Sequence, residues 1–143
     1  MNDKRFLLGP TLKVCLIWVL VCLAIASLSG WVTSLNIHPW YESIAKPAFT
    51  PPNWLFGPVW TVLYIMIGVS GGLLWQTRKV HSRAFVFFSL QLFFNFMWSF
   101  IFFGAHQIYA GMADILLTFI FLLATLCFSY KASKLAFWLL MPY

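Results

Sequence analysis

The sequence predicts an all-α, polytopic transmembrane helical bundle, and three observations predict it. Four apolar runs, 14–34, 55–75, 84–104 and 108–130, each reach the roughly 20 residues that a helix needs to cross a hydrocarbon core. Of 143 residues, 62% are hydrophobic and 8% are charged, against about 25% charged in a soluble domain. Positive charge also gathers in alternate intervals between the runs, the pattern that encodes membrane topology. A chain this short cannot bury so much apolar surface within itself, so the excess faces lipid. A single transmembrane domain, 1–143, is expected.

The first run follows Lys4, Arg5 and Lys13. A basic start, an apolar run and Ala24-Ile25-Ala26 also fit a signal peptide, but the run continues through Trp31, longer than an h-region. A retained helix is therefore expected. Lys4, Arg5, Lys13, Arg78, Lys79, Arg83, Lys131 and Lys134 fall on one side of the alternating topology, and Lys46 alone on the other. The eight-charge side is expected to be cytoplasmic, or its equivalent. In a bacterial inner membrane that places the N-terminus inside and the first loop outside. The net charge of +6 is thereby accounted for by topology, and no basic recognition helix suggests nucleic acid. Cys15, Cys22 and Cys127 lie inside apolar runs without metal-ligand spacing and read as small hydrophobes.

The first loop, 35–54, holds Pro39, Pro47, Pro51 and Pro52 among Trp40, Tyr41, Phe49 and Trp54. Proline restricts both itself and the residue before it, so the loop is stiff. It reads as an interfacial aromatic belt or as a structured lid, and the aromatics set between prolines favour the lid. The second helix starts after Pro51-Pro52. Its Phe56, Trp60 and Tyr64 recur every four residues and share a face. Gly68-x-x-x-Gly72 permits close helix approach, either at an oligomer face or inside the bundle.

The third helix carries Gln91, Asn95 and Ser99, again every four residues, with Trp98 and Phe102 beside them. Polar groups are costly against hydrocarbon, so this line is expected to face inward, as interhelical glue or as a ligand surface. The three-residue loop 105–107 makes the third and fourth helices antiparallel neighbours. Asp114 is the one acid within a run; an intramembrane carboxyl marks a functional site by default, the alternative being a buried, hydrogen-bonded carboxyl. These residues together suggest a pocket opening toward the outer side, with aromatic walls and a few placed polar groups. Leu126, Tyr130 and Lys134 fit the loose sterol pattern. His38, His81 and His106 lie in or near loops, which argues against a protein-ligated haem. Neither a nucleophile–base pair nor paired carboxylates are evident, so no catalytic residue, metal or required cofactor is expected. A fifth run, 135–143, would reach only about 13 Å, less than half the hydrocarbon core, which predicts a truncated span.

The stretch from Trp40-Tyr41 through Lys46-Pro47-Ala48-Phe49-Thr50-Pro51-Pro52-Asn53-Trp54-Leu55-Phe56-Gly57-Pro58-Val59-Trp60 to Tyr64 resembles the signature of the translocator protein family. Its members are also called tryptophan-rich sensory proteins or peripheral-type benzodiazepine receptors. Gln91-Leu92, Asn95, Trp98-Ser99, Phe102-Phe103-Gly104, Asp114 and Leu139-Leu140-Met141-Pro142-Tyr143 resemble it in the same order. The resemblance implies a five-helix bundle, usually a homodimer, that binds porphyrins, sterols and benzodiazepine-site ligands beneath the first loop. Carried onto this chain, the pocket residues are Tyr41, Pro51, Trp60, Tyr64, Asn95, Trp98 and Asp114; Gln91 and Ser99 join them from the polar line. A porphyrin or haem is then a ligand rather than a cofactor. The expected function is a membrane receptor or binding protein for tetrapyrroles and related hydrophobic molecules. The alternatives are a tetrapyrrole or sterol transporter and a porphyrin-degrading enzyme in which Trp60 takes part. After Pro142-Tyr143 the family continues with a tryptophan and an Ala-x-x-Leu-Asn segment that this sequence lacks.

Overall fold

The structure, a computed structural model, describes residues 3–143, with side chains described from Gly9 onward. The side chains of Lys4 and Arg5, which enter the charge count, lie outside the described residues. Five helices follow one another: α1 (Asp3–Asn36), α2 (Asn53–Thr77), α3 (Ser82–Ser99), α4 (Ile108–Ala132) and α5 (Lys134–Leu140). A wide π turn extends α3 over Phe100–Gly104, whereas α1 is followed, across a kink at His38, by a short helical stretch that ends at Ser43. Four of these helices are long and apolar enough to cross a membrane. The chain is thus an all-α, multi-pass integral membrane protein.

Several limits differ from those expected. Helix α1 begins at Asp3, ahead of the expected span 14–34, and runs through Pro10. Helical turns continue through the expected loop to Ser43. Pro39 is accommodated where His38 leaves helical geometry (φ −106°, ψ 132°), the extended conformation favoured before proline. The irregular segment between α1 and α2 is therefore 44–52 rather than the whole of 35–54. Pro52, at φ −59° and ψ 144°, caps α2, which starts at Asn53. The fifth helix covers Lys134–Leu140, and Ser133 caps it by accepting from the Ala136 amide.

The helices pair as two antiparallel hairpins, α1 with α2 and α3 with α4, and α5 lies against α2 and α4. The first seam is set by glycine. A Cβ on Gly68 would lie 2.5 Å from the Val19 Cα, and one on Gly72 would lie 2.6 Å from the Cys15 Cα. Backbone is there to meet it, so this pair of glycines serves packing inside the bundle and not an oligomer face. The facing stripe on α1 is small: Cys15, Cys22 and Ser29 are buried at seven-residue intervals. Small residues that let backbones approach are the usual device of helix association in lipid. The second seam is aromatic. Phe87 stacks on Phe128 at 5.5 Å and Phe94 on Phe121 at 5.5 Å.

Candidate functional site

On α4 the polar residues point inward, and many large apolar residues point outward. On α4 the buried face reads Gly111, Asp114, Thr118, Leu122, Thr125 and Ser129, spaced by three or four. The exposed face carries Ile115, Leu116, Phe119, Ile120 and Leu123. Such inverted amphipathicity follows from the solvent: lipid accepts leucine and phenylalanine, whereas a carboxyl or hydroxyl must find partners inside protein. Thr118 and Thr125 meet that need locally, donating to the carbonyls of Asp114 at 3.0 Å and Phe121 at 2.7 Å.

The third-helix line turns the same way. Gln91 is fully buried and Ser99 nearly so. Asn95 accepts a hydrogen bond from the Tyr64 hydroxyl through its Oδ1, which ties α2 to α3 at the centre of the bundle. Trp60, one turn from Tyr64, lies with its ring 5.8 Å away. Ser99 accepts from Thr33 Oγ1 at 3.4 Å, which ties α3 to α1. Packing of Phe102 on Gly111, Phe94 on Phe121 and Phe87 on Phe128 sets the register of α3 against α4. It places Asp114 level with Ser99 and Thr118 level with Asn95.

Much hydrogen-bonding capacity in this interior is unspent. Both amide atoms of Gln91 and Oδ2 of Asp114 are buried without a partner. Tyr143 reaches this region from the end of the chain, with its ring 6.4 Å from Trp60 and its hydroxyl beside the Asn95 side chain. Orphaned buried polar atoms are rare, since each costs about 1–3 kcal/mol. Two such residues, one on α3 and one on the facing α4, are therefore a feature to explain.

The end of the bundle at the α1–α2 connection is closed by aromatic rings. Trp40 stacks on His106 at 4.4 Å and meets Phe102 edge-on at 5.4 Å. Tyr41 lies 5.4 Å from Phe103, and Phe103 in turn lies 5.6 Å from Trp98. His106, at φ 55°, also bonds Asn36 through Nε2···Oδ1 at 3.1 Å. The short turn between α3 and α4 is thus fastened to the end of α1. A cavity of about 210 Å³ lies nearby, lined by Trp98, Phe102, Ile108, Gly111, Met112 and Ile115. It is smaller than the roughly 300–1,000 Å³ typical of ligand pockets.

The nine candidate residues therefore fall into three groups. Trp60, Tyr64, Gln91, Asn95, Ser99 and Asp114 belong to the interior, each buried or half-buried on an inward face. Tyr41 and Trp98 belong to the aromatic closure, joined through Phe103. Pro51 stands apart, exposed in the 44–52 segment. That segment folds mainly on itself, with Thr50 bonded to the Pro47 carbonyl at 2.7 Å and Lys46 to the Tyr41 carbonyl at 2.9 Å. Sequence reasoning placed Trp40 in the expected lid but overlooked its partner His106, Ser29 and Thr33 on α1, and the inward position of Tyr143. For α1 a signal did exist: Cys15, Cys22, Ser29 and Asn36 recur every seven residues along one face. Among the described residues no three His, Cys, Asp or Glu side chains group as a metal site would require.

A multi-pass bundle with a polar interior between aromatic walls is the class of membrane protein that fold and site define. Residues 18–143 match the TspO/MBR family, and the chain belongs to that family. It is 40% identical to the tryptophan-rich protein TspO of Archaeoglobus fulgidus over 126 residues, 87% of this chain and 82% of that protein. It is 37% identical to the protein of the same name from Chlorobaculum tepidum, over 93% of this chain and 84% of that one. With the human translocator protein it shares 36% identity over 82% of this chain and 74% of that protein.

Proposed function

We propose that this chain is a membrane receptor or binding protein for tetrapyrroles and related hydrophobic ligands, held in the bundle interior between α2, α3 and α4. The observation that carries the reading is the set of buried polar atoms without partners on Gln91 and Asp114, in a bundle interior that also holds the adjoining rings of Trp60 and Tyr64. A ligand with a flat apolar body and a few polar substituents satisfies both halves of such a lining. The family resemblance supplies the porphyrin or haem class, with sterols and benzodiazepine-type molecules as related ligands. The eight-to-one charge asymmetry supports an N-terminus on the cytoplasmic side, and the same resemblance supports a homodimer.

Trp60→Phe is expected to lower porphyrin affinity by about tenfold, on the order of 1.4 kcal/mol, while leaving the fold intact by circular dichroism. Titration of the purified chain with porphyrin, read by quenching of tryptophan fluorescence and by the Soret band, measures this. Equal affinity in the variant removes the interior as the site. The name of the mammalian relatives, translocator protein, favours transport as the second reading. Transport predicts ligand flux across proteoliposomes; binding without flux eliminates it. An enzyme reading predicts a new product from illuminated porphyrin that depends on Trp60.

A further inference from the structure

A second cavity lies at the opposite end of the bundle from the aromatic closure. It measures about 220 Å³ and is bordered by His81, Ser82, Arg83, Phe128 and Lys131. Its walls come from two elements that the fold brings together. The α2–α3 turn supplies His81 and the first residues of α3. The last turn of α4 supplies Phe128 and Lys131. The Arg83 guanidinium sits 5.8 Å above the Phe128 ring, a cation–π placement that holds the charge over the mouth of the notch. Helix α3 begins here without a side-chain cap and without an acid in its first turn. Arg83 and Lys131 also lack an acidic partner: among the described residues the ion pair is His38–Glu42, at the far end, and Asp114 is buried within a span.

We propose that this notch is a binding site for the phosphate headgroup of an anionic membrane lipid. The charge fits a phosphodiester, with a guanidinium and an ammonium on separate helices facing one volume. The position fits a lipid rather than a soluble phosphate. The notch lies where two membrane spans end, at headgroup depth, and exposed Val80 and Val86 beside it offer an apolar path for an acyl chain. Arg78 is engaged elsewhere: it stacks on Trp75 at 3.7 Å and donates to the Trp75 carbonyl at 2.6 Å. Lys79 and Lys134 share this end of the molecule but do not border the notch.

That last distinction provides the test. The full chain is purified in a neutral detergent, and phosphatidylglycerol and phosphatidylcholine adducts are compared by native mass spectrometry. The wild type is expected to retain phosphatidylglycerol preferentially. Two basic residues near an anionic surface account for about tenfold or more in binding. Arg83→Gln with Lys131→Gln should therefore lower phosphatidylglycerol retention by roughly tenfold, while Lys79→Gln with Lys134→Gln should change it less than about twofold. Both doubles remove the same charge from the same end, so equal losses would overturn the site in favour of a diffuse basic surface. No preference for phosphatidylglycerol in the wild type would overturn it as well. A parallel arm titrates inorganic phosphate, and full displacement of the lipid at millimolar phosphate would overturn the lipid assignment in favour of a soluble anion.

Discussion

The two hairpins of this bundle are made from the same apolar residues, yet they are held by different devices. Between α1 and α2 the backbones nearly touch, and Gly68 and Gly72 leave no room for a methyl group. Between α3 and α4 the contact is made by stacked rings, at interplanar angles of 9° for Phe87–Phe128 and 11° for Phe94–Phe121. Buried beside those rings are Gln91 and Asp114, each with polar atoms lacking a partner. The first seam is packed to completion. The second keeps polar groups in reserve, at a cost in stability that a binding function explains and a purely structural role does not.

The sharpest way to break this comparison is to fill the first seam. Gly68→Leu places a side chain against the Val19 backbone, which cannot swing aside as a side-chain tip could. A loss of about 3 kcal/mol is expected, at the upper end of overpacking costs. Gly30→Ala is the matched control, because nothing lies within 4 Å of a Cβ there; it should be neutral or stabilising by about 0.5 kcal/mol through helix propensity. Unfolding in mixed micelles, followed by circular dichroism, reads both. Equal stability of the two variants would show that the glycine seam does not fix the hairpin.

The next effect belongs to the link between the hairpins. Tyr64→Phe removes the donor to Asn95 and leaves a buried amide oxygen alone, for a loss of about 2 kcal/mol. Adding Asn95→Leu removes the orphan, so the double variant should recover about half of that loss in the same unfolding assay. Additive losses in the double would mean that each residue has other partners. Gln91→Leu should move the other way. Its amide atoms have no partner in the closed bundle, so an apolar side chain of similar size should stabilise the protein by about 1 kcal/mol while weakening porphyrin binding. Destabilisation would make Gln91 interhelical glue.

These contrasts separate what the sequence could disclose from what it could not. Spans, connections and the inward polar line were legible because lipid forces them: an amide or carboxyl every fourth residue of an apolar helix has one sensible direction. The pairing of apolar faces was not legible, because a buried leucine and a lipid-facing leucine obey the same solvent. Gly68 and Gly72 could be located but not given a partner, and the buried stripe Cys15–Cys22–Ser29 looked like ordinary hydrophobic filler. The short helical stretch beyond α1 was hidden by Pro39, which does break the helix at His38 but is followed by further helical turns to Ser43. Trp40 consequently looked like part of a loop, although it lies in that stretch and closes the bundle.

That reassignment of Trp40 leads to the smallest effect on stability and the most direct view of access. Trp40 touches Phe102, Phe103 and His106 but is itself half-buried at the surface, so Trp40→Ala should cost only about 1 kcal/mol, the worth of an aromatic contact or two. On the proposed binding reading, ligand that reaches Gln91 from this end must part these rings. Their removal should therefore speed porphyrin association several-fold, on the order of the same 1 kcal/mol lowering of a barrier, with affinity changed less than the rate. Stopped-flow Soret absorbance avoids the fluorescence that the substitution removes. Pro51→Ala provides the comparison within the same end of the molecule: Pro51 is exposed, and its segment is bonded mainly to itself. If these rings are the gate, Pro51→Ala leaves the association rate unchanged. If it accelerates association as much as Trp40→Ala does, the gate is the proline segment, and the aromatic closure is packing alone.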